Sequence, residues 1–229
     1  MVLKKKAIRG RRQLIAYEQP KSSISEQYRN IRTNIEFASV DKKIRSFIVT
    51  SANPSDGKTT TAANLAIVFA QQDKKVLLID ADLRKPALHQ MLQIDNMIGL
   101  TNVLTRSKTL EICVKQTKIG NLDFLPCGPI PPNPAELLGT TSMKDLLLEA
   151  YGIYDLVIFD VTPVLPVADA QIMANQCDAS VLVIRSGATE KDLALKAKQV
   201  LDSAKGTLLG AILNDRETDK LEYSYYGSN

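Results

Sequence analysis

Apolar residues in this chain gather into short unbroken runs, and several of the runs end in a carboxylate. Arg45 to Thr50, Lys75-Val76-Leu77-Leu78-Ile79-Asp80, Tyr154-Asp155-Leu156-Val157-Ile158-Phe159-Asp160, Ala179 to Arg185 and Leu208 to Asn214 lack the alternation of a half-exposed strand. Runs of this kind read as parallel strands covered on both faces. Asn121 to Pro126 is a shorter strand. Between the strands the period changes to that of helices. A helix is expected from about Ser25 to Ala38, capped by Ser22 or Ser25, with Tyr28, Ile31, Ile35 and Ala38 on one stripe. Others are expected at Lys58 to about Gln71, from Glu136, at Met143 to Tyr151, at Asp169 to Cys177 and at Glu190 to Ala204. In the last, Leu193, Ala197, Val200 and Leu201 face the sheet. Alternating strands and helices predict an α/β domain, a parallel sheet wrapped by helices with right-handed crossovers.

The first junction carries the strongest chemical signal. Ser46 to Leu65 reads as a strand, a turn-rich loop Ala52-Asn53-Pro54-Ser55-Asp56-Gly57, then Lys58-Thr59-Thr60 opening an alanine-rich helix. Loop amides and the positive end of a helix dipole converge on anionic oxygens. In this arrangement Lys58 reaches the β- and γ-phosphates and the Thr59 hydroxyl takes a site on Mg²⁺. An ordinary strand–turn–helix with a chance Gly-Lys-Thr is the alternative.

Three aspartates sharpen that signal. In an open parallel sheet, ligands bind outside the carboxyl ends of the strands. Asp80 and Asp82 follow the second strand and Asp160 ends another, so all three fall beside the loop. A strand-end Asp after apolar residues helps to hold Mg²⁺ in phosphoryl-transfer sites. Next to a divalent cation these carboxylates are expected to stay ionised.

Composition adds bounds. At 229 residues, one domain with no disulfide or metal staple is expected. Cys113, Cys127 and Cys177 have no Cys-x-x-Cys spacing and read as reduced thiols of a cytosolic protein. No apolar run approaches the ~20 residues of a membrane span, and no signal-type apolar stretch follows the N-terminal basic cluster. The net charge of +4 is concentrated in Lys4, Lys5, Lys6, Arg9, Arg11 and Arg12. Residues 1–24 are read as a basic flexible segment, 25–214 as the catalytic domain and 215–229 as a flexible tail. The basic segment could meet a membrane surface or an acidic partner. With no aromatic interleaving, nucleic acid is not expected. The tail holds Tyr223, Tyr225 and Tyr226, three of the chain's seven tyrosines, and reads either as an accident of composition or a sticky surface patch, or as a modification site. Glu26, Arg29 and Arg32 form a charged band on the first helix, either an intrahelical pair or an ion-pairing surface. The stiff segment Gly128 to Pro134 reads as a spacer or an interface. His89 has no triad or metal pattern near it and reads as structural.

Taken together, these residues resemble the bacterial tyrosine kinases. Ala52 to Thr59, Leu78 to Arg84 and Phe159-Asp160 look like their Walker A, A′ and B motifs, and Glu26-x-x-Arg29-x-x-Arg32 and the tyrosine tail complete the likeness. It is closest to the Gram-positive type, whose cytoplasmic kinase is a separate chain from its membrane activator. The resemblance implies a MinD-like P-loop NTPase fold, a central mostly parallel sheet covered by helices on both faces. It implies ATP and Mg²⁺ as cofactors, with nucleotide held by Asn53, Pro54, Ser55, Asp56, Gly57, Lys58, Thr59 and Thr60. Asn214 is placed to read the adenine edge. Thr59, Asp80, Asp82 and Asp160 would serve the metal. Lys58, Asp80 and Asp82 would be catalytic, Asp80 accepting the tyrosine proton, with the roles of Asp80 and Asp82 exchangeable. The resemblance further implies autophosphorylation in trans on Tyr223, Tyr225 and Tyr226, a ring-shaped homo-oligomer through Glu26, Arg29 and Arg32, and a membrane polysaccharide co-polymerase as activator. A tyrosine phosphatase and further protein substrates are implied partners, in capsule or exopolysaccharide synthesis. The kinase would be cytoplasmic and recruited to the inner face of the membrane.

Two departures stand out. Ser55-Asp56 replaces the common Gly-Glu, which costs flexibility if position 55 needs positive φ. Asp160-Val161-Thr162-Pro163-Val164 differs from the usual Asp-Thr-Pro-Pro or Asp-Ser-Pro-Pro, so Thr162 receives no role. The competing readings are a MinD/ParA-type ATPase switch and a nucleotide-gated scaffold without catalysis. The switch lacks its signature lysine here, where Ala52 and Asn53 stand. The scaffold is disfavoured by the intact Lys58, Asp80, Asp82 and Asp160.

Overall fold

A computed structural model of the chain describes residues 13–38 and 43–216. In order, the elements are α1 (Ile15–Glu18), α2 (Ser23–Ala38), β1 (Ser46–Ser51), α3 (Lys58–Ala70), β2 (Val76–Asp80), α4 (Leu88–Leu92), α5 (Leu100–Leu104), α6 (Leu110–Cys113), β3 (Lys115–Gln116), β4 (Leu122–Leu125), α7 (Pro134–Leu138), α8 (Thr141–Tyr151), β5 (Leu156–Asp160), α9 (Asp169–Ala174), β6 (Ala179–Arg185), α10 (Lys191–Asp202) and β7 (Thr207–Asn214). The strands form one sheet in the order β3-β4-β2-β5-β1-β6-β7. Every neighbouring pair is parallel except β3 with β4.

The unbroken apolar runs are explained by a core on each side of this sheet. Successive side chains of a strand point to opposite faces. Phe47, Val49, Val76, Leu78, Leu156 and Ile158 pack under α1, α2 and α3. Ile48, Leu77, Ile79, Val157 and Phe159 pack under α5 to α10. β1, β2 and β5 are buried along their whole length. Each large apolar side chain so buried contributes roughly 1.5–3 kcal/mol. α3 is apolar nearly all round because it lies between the sheet and α1 and α2, and all but one of its residues are buried.

Ser22 is the cap of α2: its Oγ accepts the Ser25 N–H at 3.2 Å. The Ser25 hydroxyl instead donates to the Gln19 carbonyl at 2.7 Å. This corrects the expected boundary at residue 24. Leu14, Ile15 and Ala16 are buried in the core beneath α3, and the Ala16 N–H donates to Asn64 Oδ1 at 2.9 Å. Residues 13–24 therefore belong to the packed domain. α9 stops at Ala174, three residues before the expected Cys177.

The β1–β5–β2 arrangement positions the site. Val49 and Asp80 both pair with Asp160 in register. Three strand ends, with the loop after β1, thus open at one edge of the sheet.

Candidate active site

The loop after β1 is held by its own carboxylate. Asp56 is 3% exposed. Its Oδ2 accepts the Asn53 N–H at 2.9 Å, and its Oδ1 accepts the Thr189 hydroxyl at 3.0 Å. The Ser51 hydroxyl donates to the Asn53 carbonyl at 2.7 Å. The Asn214 amide donates to the Asp56 carbonyl at 2.9 Å, closing the loop against the end of β7. Gly57 has φ 101°, a conformation that favours glycine, and a Cβ there would lie 2.0 Å from Asn214 Nδ2 and displace that amide. Ser55 has φ 70°, the left-handed region that favours glycine. The substitution read from the sequence therefore falls where an L side chain is strained.

α3 starts at Lys58, whose side chain is almost fully buried. Its Nζ lies 2.9 Å from Asp82 Oδ2, 3.0 Å from Asp160 Oδ1 and 3.3 Å from Thr59 Oγ1. Burial opposes the charge on Lys58, but Asp160 and Asp82 outweigh it and raise its pKa above the ordinary value. Asp82 is raised by burial, yet Lys58 and the Lys85 and Arg84 N–H groups hold it below the ordinary carboxylate value.

Asp80 behaves differently. It is fully buried, its carboxylate neighbours that of Asp160, and its pKa is pushed up to about 7, first by burial and then by the Asp160 charge. Asp160 is raised too, chiefly by burial. The causes at Asp80 are burial and a like charge sharing the same low-dielectric space.

Asp80 Oδ2 accepts the Ala87 and Leu88 N–H groups at 2.9 and 3.0 Å. Asp80 Oδ1, Asp160 Oδ2 and Thr162 Oγ1 are buried and make no hydrogen bond. Buried oxygens left this way are costly unless something else meets them. The donor set of carboxylate and hydroxyl oxygens beside Thr59 fits Mg²⁺, a hard cation that takes one or two carboxylates together with substrate phosphates. Among the described residues no group of three or more His, Cys, Asp or Glu is arranged to hold a metal.

The sequence-predicted residues from Asn53 to Thr60 thus meet Asp80, Asp82, Asp160 and Asn214 at one edge of the sheet. Glu26, Arg29 and Arg32 lie away from it on α2. Glu26 pairs with Arg29 one turn on, and Arg32 Nη1 donates to the Val68 carbonyl at 2.7 Å. Tyr223, Tyr225 and Tyr226 lie outside the described residues. Two groups escaped the sequence reading. Thr189 braces the loop from 133 residues away. Arg84 grips Asp169 with Nε and Nη2 at 2.8 and 3.0 Å, and Asp169 is fully buried. The Leu78-to-Arg84 motif pointed towards the first partner of that pair. Nothing local marks Asp169 or Thr189.

Known proteins carry the same assembly. A family model described as an AAA domain matches residues 48–201. The tyrosine-protein kinase YwqD of Bacillus subtilis is 57% identical over 226 residues, covering 98% of this chain and 95% of that protein. The putative tyrosine-protein kinase CapB of Staphylococcus aureus is 38% identical over 94% of this chain and 96% of its own length. Among solved structures, the kinase domain of Escherichia coli tyrosine kinase ETK superposes with a TM-score of 0.87 at 34% identity, over 98% of this chain and 88% of that one. The fold extends further, to the septum site-determining protein MinD from Pyrococcus horikoshii, with a TM-score of 0.64 at 26% identity over 74% and 69% of the two chains. With a phosphate loop, three strand-end aspartates and relatives matched along nearly their whole length, the chain belongs to the bacterial tyrosine kinases and is built on the MinD-like P-loop fold.

Proposed function

We propose that this kinase transfers the γ-phosphoryl group of ATP to Tyr223, Tyr225 and Tyr226 of a neighbouring copy of itself. The observation that carries the reading is the placement of Lys58 between Asp82 and Asp160, at the head of a helix that faces the loop. When bound, Mg²⁺ would neutralise charge on the phosphate oxygens, with Thr59, Asp82 and Asp160 as its protein partners. Lys58 and the amides from Asn53 to Thr60 orient the β- and γ-phosphates, which is most of what phosphoryl transfer asks of a protein. The tyrosine oxygen attacks the γ-phosphorus, the bond to the bridging oxygen breaks, and ADP leaves. The tyrosine proton passes to Asp80, whose buried Oδ1 makes no hydrogen bond within the protein. Asn214, packed against Gly57, reads the adenine edge.

Around this chemistry we place a ring-shaped homo-oligomer using Glu26, Arg29 and Arg32, a membrane polysaccharide co-polymerase as activator and a tyrosine phosphatase as antagonist. The process served is capsule or exopolysaccharide synthesis at the inner face of the cell membrane. No helix among the described residues is long and apolar enough to cross a membrane, and attachment through a partner is in keeping with that.

Incubation with MgATP and an activator fragment, followed by phosphate mapping by mass spectrometry, tests the reading. Phosphate on Tyr223, Tyr225 and Tyr226, absent in Lys58→Met, is expected. ATP hydrolysis without phosphotyrosine would indicate a switch of the MinD/ParA type. Nucleotide binding without turnover would indicate a scaffold.

A further inference from the structure

We propose that the Arg84–Asp169 clamp is a positioning device for the active site, setting where Asp82 stands relative to Lys58. The inference rests on the kinase reading above and adds a residue pair to it.

Asp82 lies on the irregular segment between the end of β2 at Asp80 and the start of α4 at Leu88. Regular structure does not fix its backbone. Its carboxylate is oriented by the backbone amides two and three residues on: Oδ1 accepts the Arg84 N–H at 3.3 Å and the Lys85 N–H at 2.9 Å. Its other oxygen, Oδ2, meets Lys58 Nζ at 2.9 Å. The backbone of Arg84 and Lys85 therefore dictates the Asp82 side of that contact. The Arg84 side chain then leaves the segment and forms a two-pronged contact with Asp169, the first residue of α9. Asp169 is fully buried, while the Arg84 side chain is 40% exposed. A guanidinium fork on a carboxylate restrains orientation as well as distance. Asp169 is built into the core: α9 packs beside β1 and α7, and Ala170, Met173 and Ala174 are buried there. The clamp thus ties a strand-end turn to a fixed point 85 residues further along the chain.

An ammonium would keep the charge but not the fork. A displacement of about 1 Å in a catalytic group can lower turnover by up to about 10²-fold. Arg84→Gln and Asp169→Asn each break the same contact, and Arg84→Lys loses its geometry.

The test is a kinetic double-mutant cycle on the full chain with MgATP and its activator fragment. Phosphotyrosine formation is measured and normalised to the concentration of sites that bind a fluorescent ATP analogue. We expect Arg84→Gln, Asp169→Asn and the double variant each to lower kcat about tenfold, with no further loss in the double variant. KM for ATP should stay within about twofold, and Arg84→Lys should fail to restore kcat. Because Arg84 is at the surface, Arg84→Gln and Arg84→Lys give a reading even if Asp169→Asn folds poorly. Losses that multiply, a wild-type kcat in Arg84→Gln, recovery in Arg84→Lys, or losses that vanish on normalisation to nucleotide-binding sites would each overturn the proposal. Failure of the kinase reading is distinguishable, because wild-type protein would then form no phosphotyrosine.

Discussion

The Lys58 ammonium lies 3.0 Å from Asp160 Oδ1, so the lysine that opens α3 is paired with the carboxylate that ends β5. The contact does two things. It compensates a carboxylate that is fully buried, and it keeps the lysine charged. Removing one partner of a buried ion pair leaves the other uncompensated, at a cost of about 3–5 kcal/mol. Lys58→Met should therefore lower the melting temperature of nucleotide-free protein and abolish phosphotyrosine formation. A variant that melts with wild type would show that the pair has no structural part.

Asp80 should make the nucleotide-free protein sensitive to pH. A carboxyl raised to about 7 binds its proton more tightly in the folded than in the unfolded chain. Its contribution to stability is complete below the unfolded value near 3.8 and is lost as pH rises through about 7. Melting curves at pH 5.5 and pH 8, without cation, should show the fall. Asp80→Asn should remove this dependence and stabilise the protein at pH 8 by on the order of 1–2 kcal/mol. The same variant should lose turnover if Asp80 takes the tyrosine proton. Retained turnover in Asp80→Asn with loss in Asp82→Asn would exchange their roles.

The phosphate loop offers a conformational test. Ser55 sits at φ 70°, where a β-branched residue is costlier still. Ser55→Gly should leave the melting temperature within about 2 °C, since relief of strain is offset by the freedom glycine gains in the unfolded chain. Ser55→Val should cost about 1–2 kcal/mol and weaken ATP binding. Gly57→Ala, driven against Asn214, should weaken it more than tenfold. Equal nucleotide affinities across the three variants in calorimetry would contradict the loop geometry.

The α2 band separates assembly from stability. Glu26 and Arg29 are surface groups, and such a pair is worth a few tenths of a kcal/mol. Changing Glu26, Arg29 and Arg32 together to Ala should lower the mass measured by light scattering, with a fall in melting temperature no larger than that of Arg32→Ala alone, which loses the Val68 contact. An unchanged mass would sink the interface assignment.

Much of this arrangement was legible in the residues themselves. Long apolar runs marked the central strands to within a residue or two, because a strand buried on both faces has no polar interruption. Asp80 and Asp160 could be found because each ends such a run, and Lys58 because it follows the turn-rich loop after one. What escaped notice was short or distant. α1, α5 and α6 are four or five residues each, barely a helical turn, too few for periodicity to register. β3 has two residues and pairs antiparallel at the sheet edge. Leu14 to Ala16 form a small apolar patch beside a basic cluster, and charge dominated that reading. The Asp56–Thr189 and Arg84–Asp169 contacts join residues 133 and 85 positions apart, and no local pattern announces such a pair. The like-charge neighbours Asp80 and Asp160 follow from strand order, which places β2 beside β5 although β1 precedes both.

Asn214 is the last residue of β7, and its amide is fastened to the phosphate loop. In the proposed reaction the chain that carries the acceptor tyrosines therefore leaves the fold beside its own subunit's phosphate loop. Tyr223 comes nine residues after that anchor and Tyr226 twelve, so their greatest reach is about 32 Å and about 43 Å. Any neighbour that receives these tyrosines must hold its own Lys58 inside that radius, which limits how far apart two subunits of a working assembly can stand. The same radius includes the tail's own site, so tether length alone does not decide between a subunit's own ATP and its neighbour's. That choice falls to the way subunits are oriented around one another.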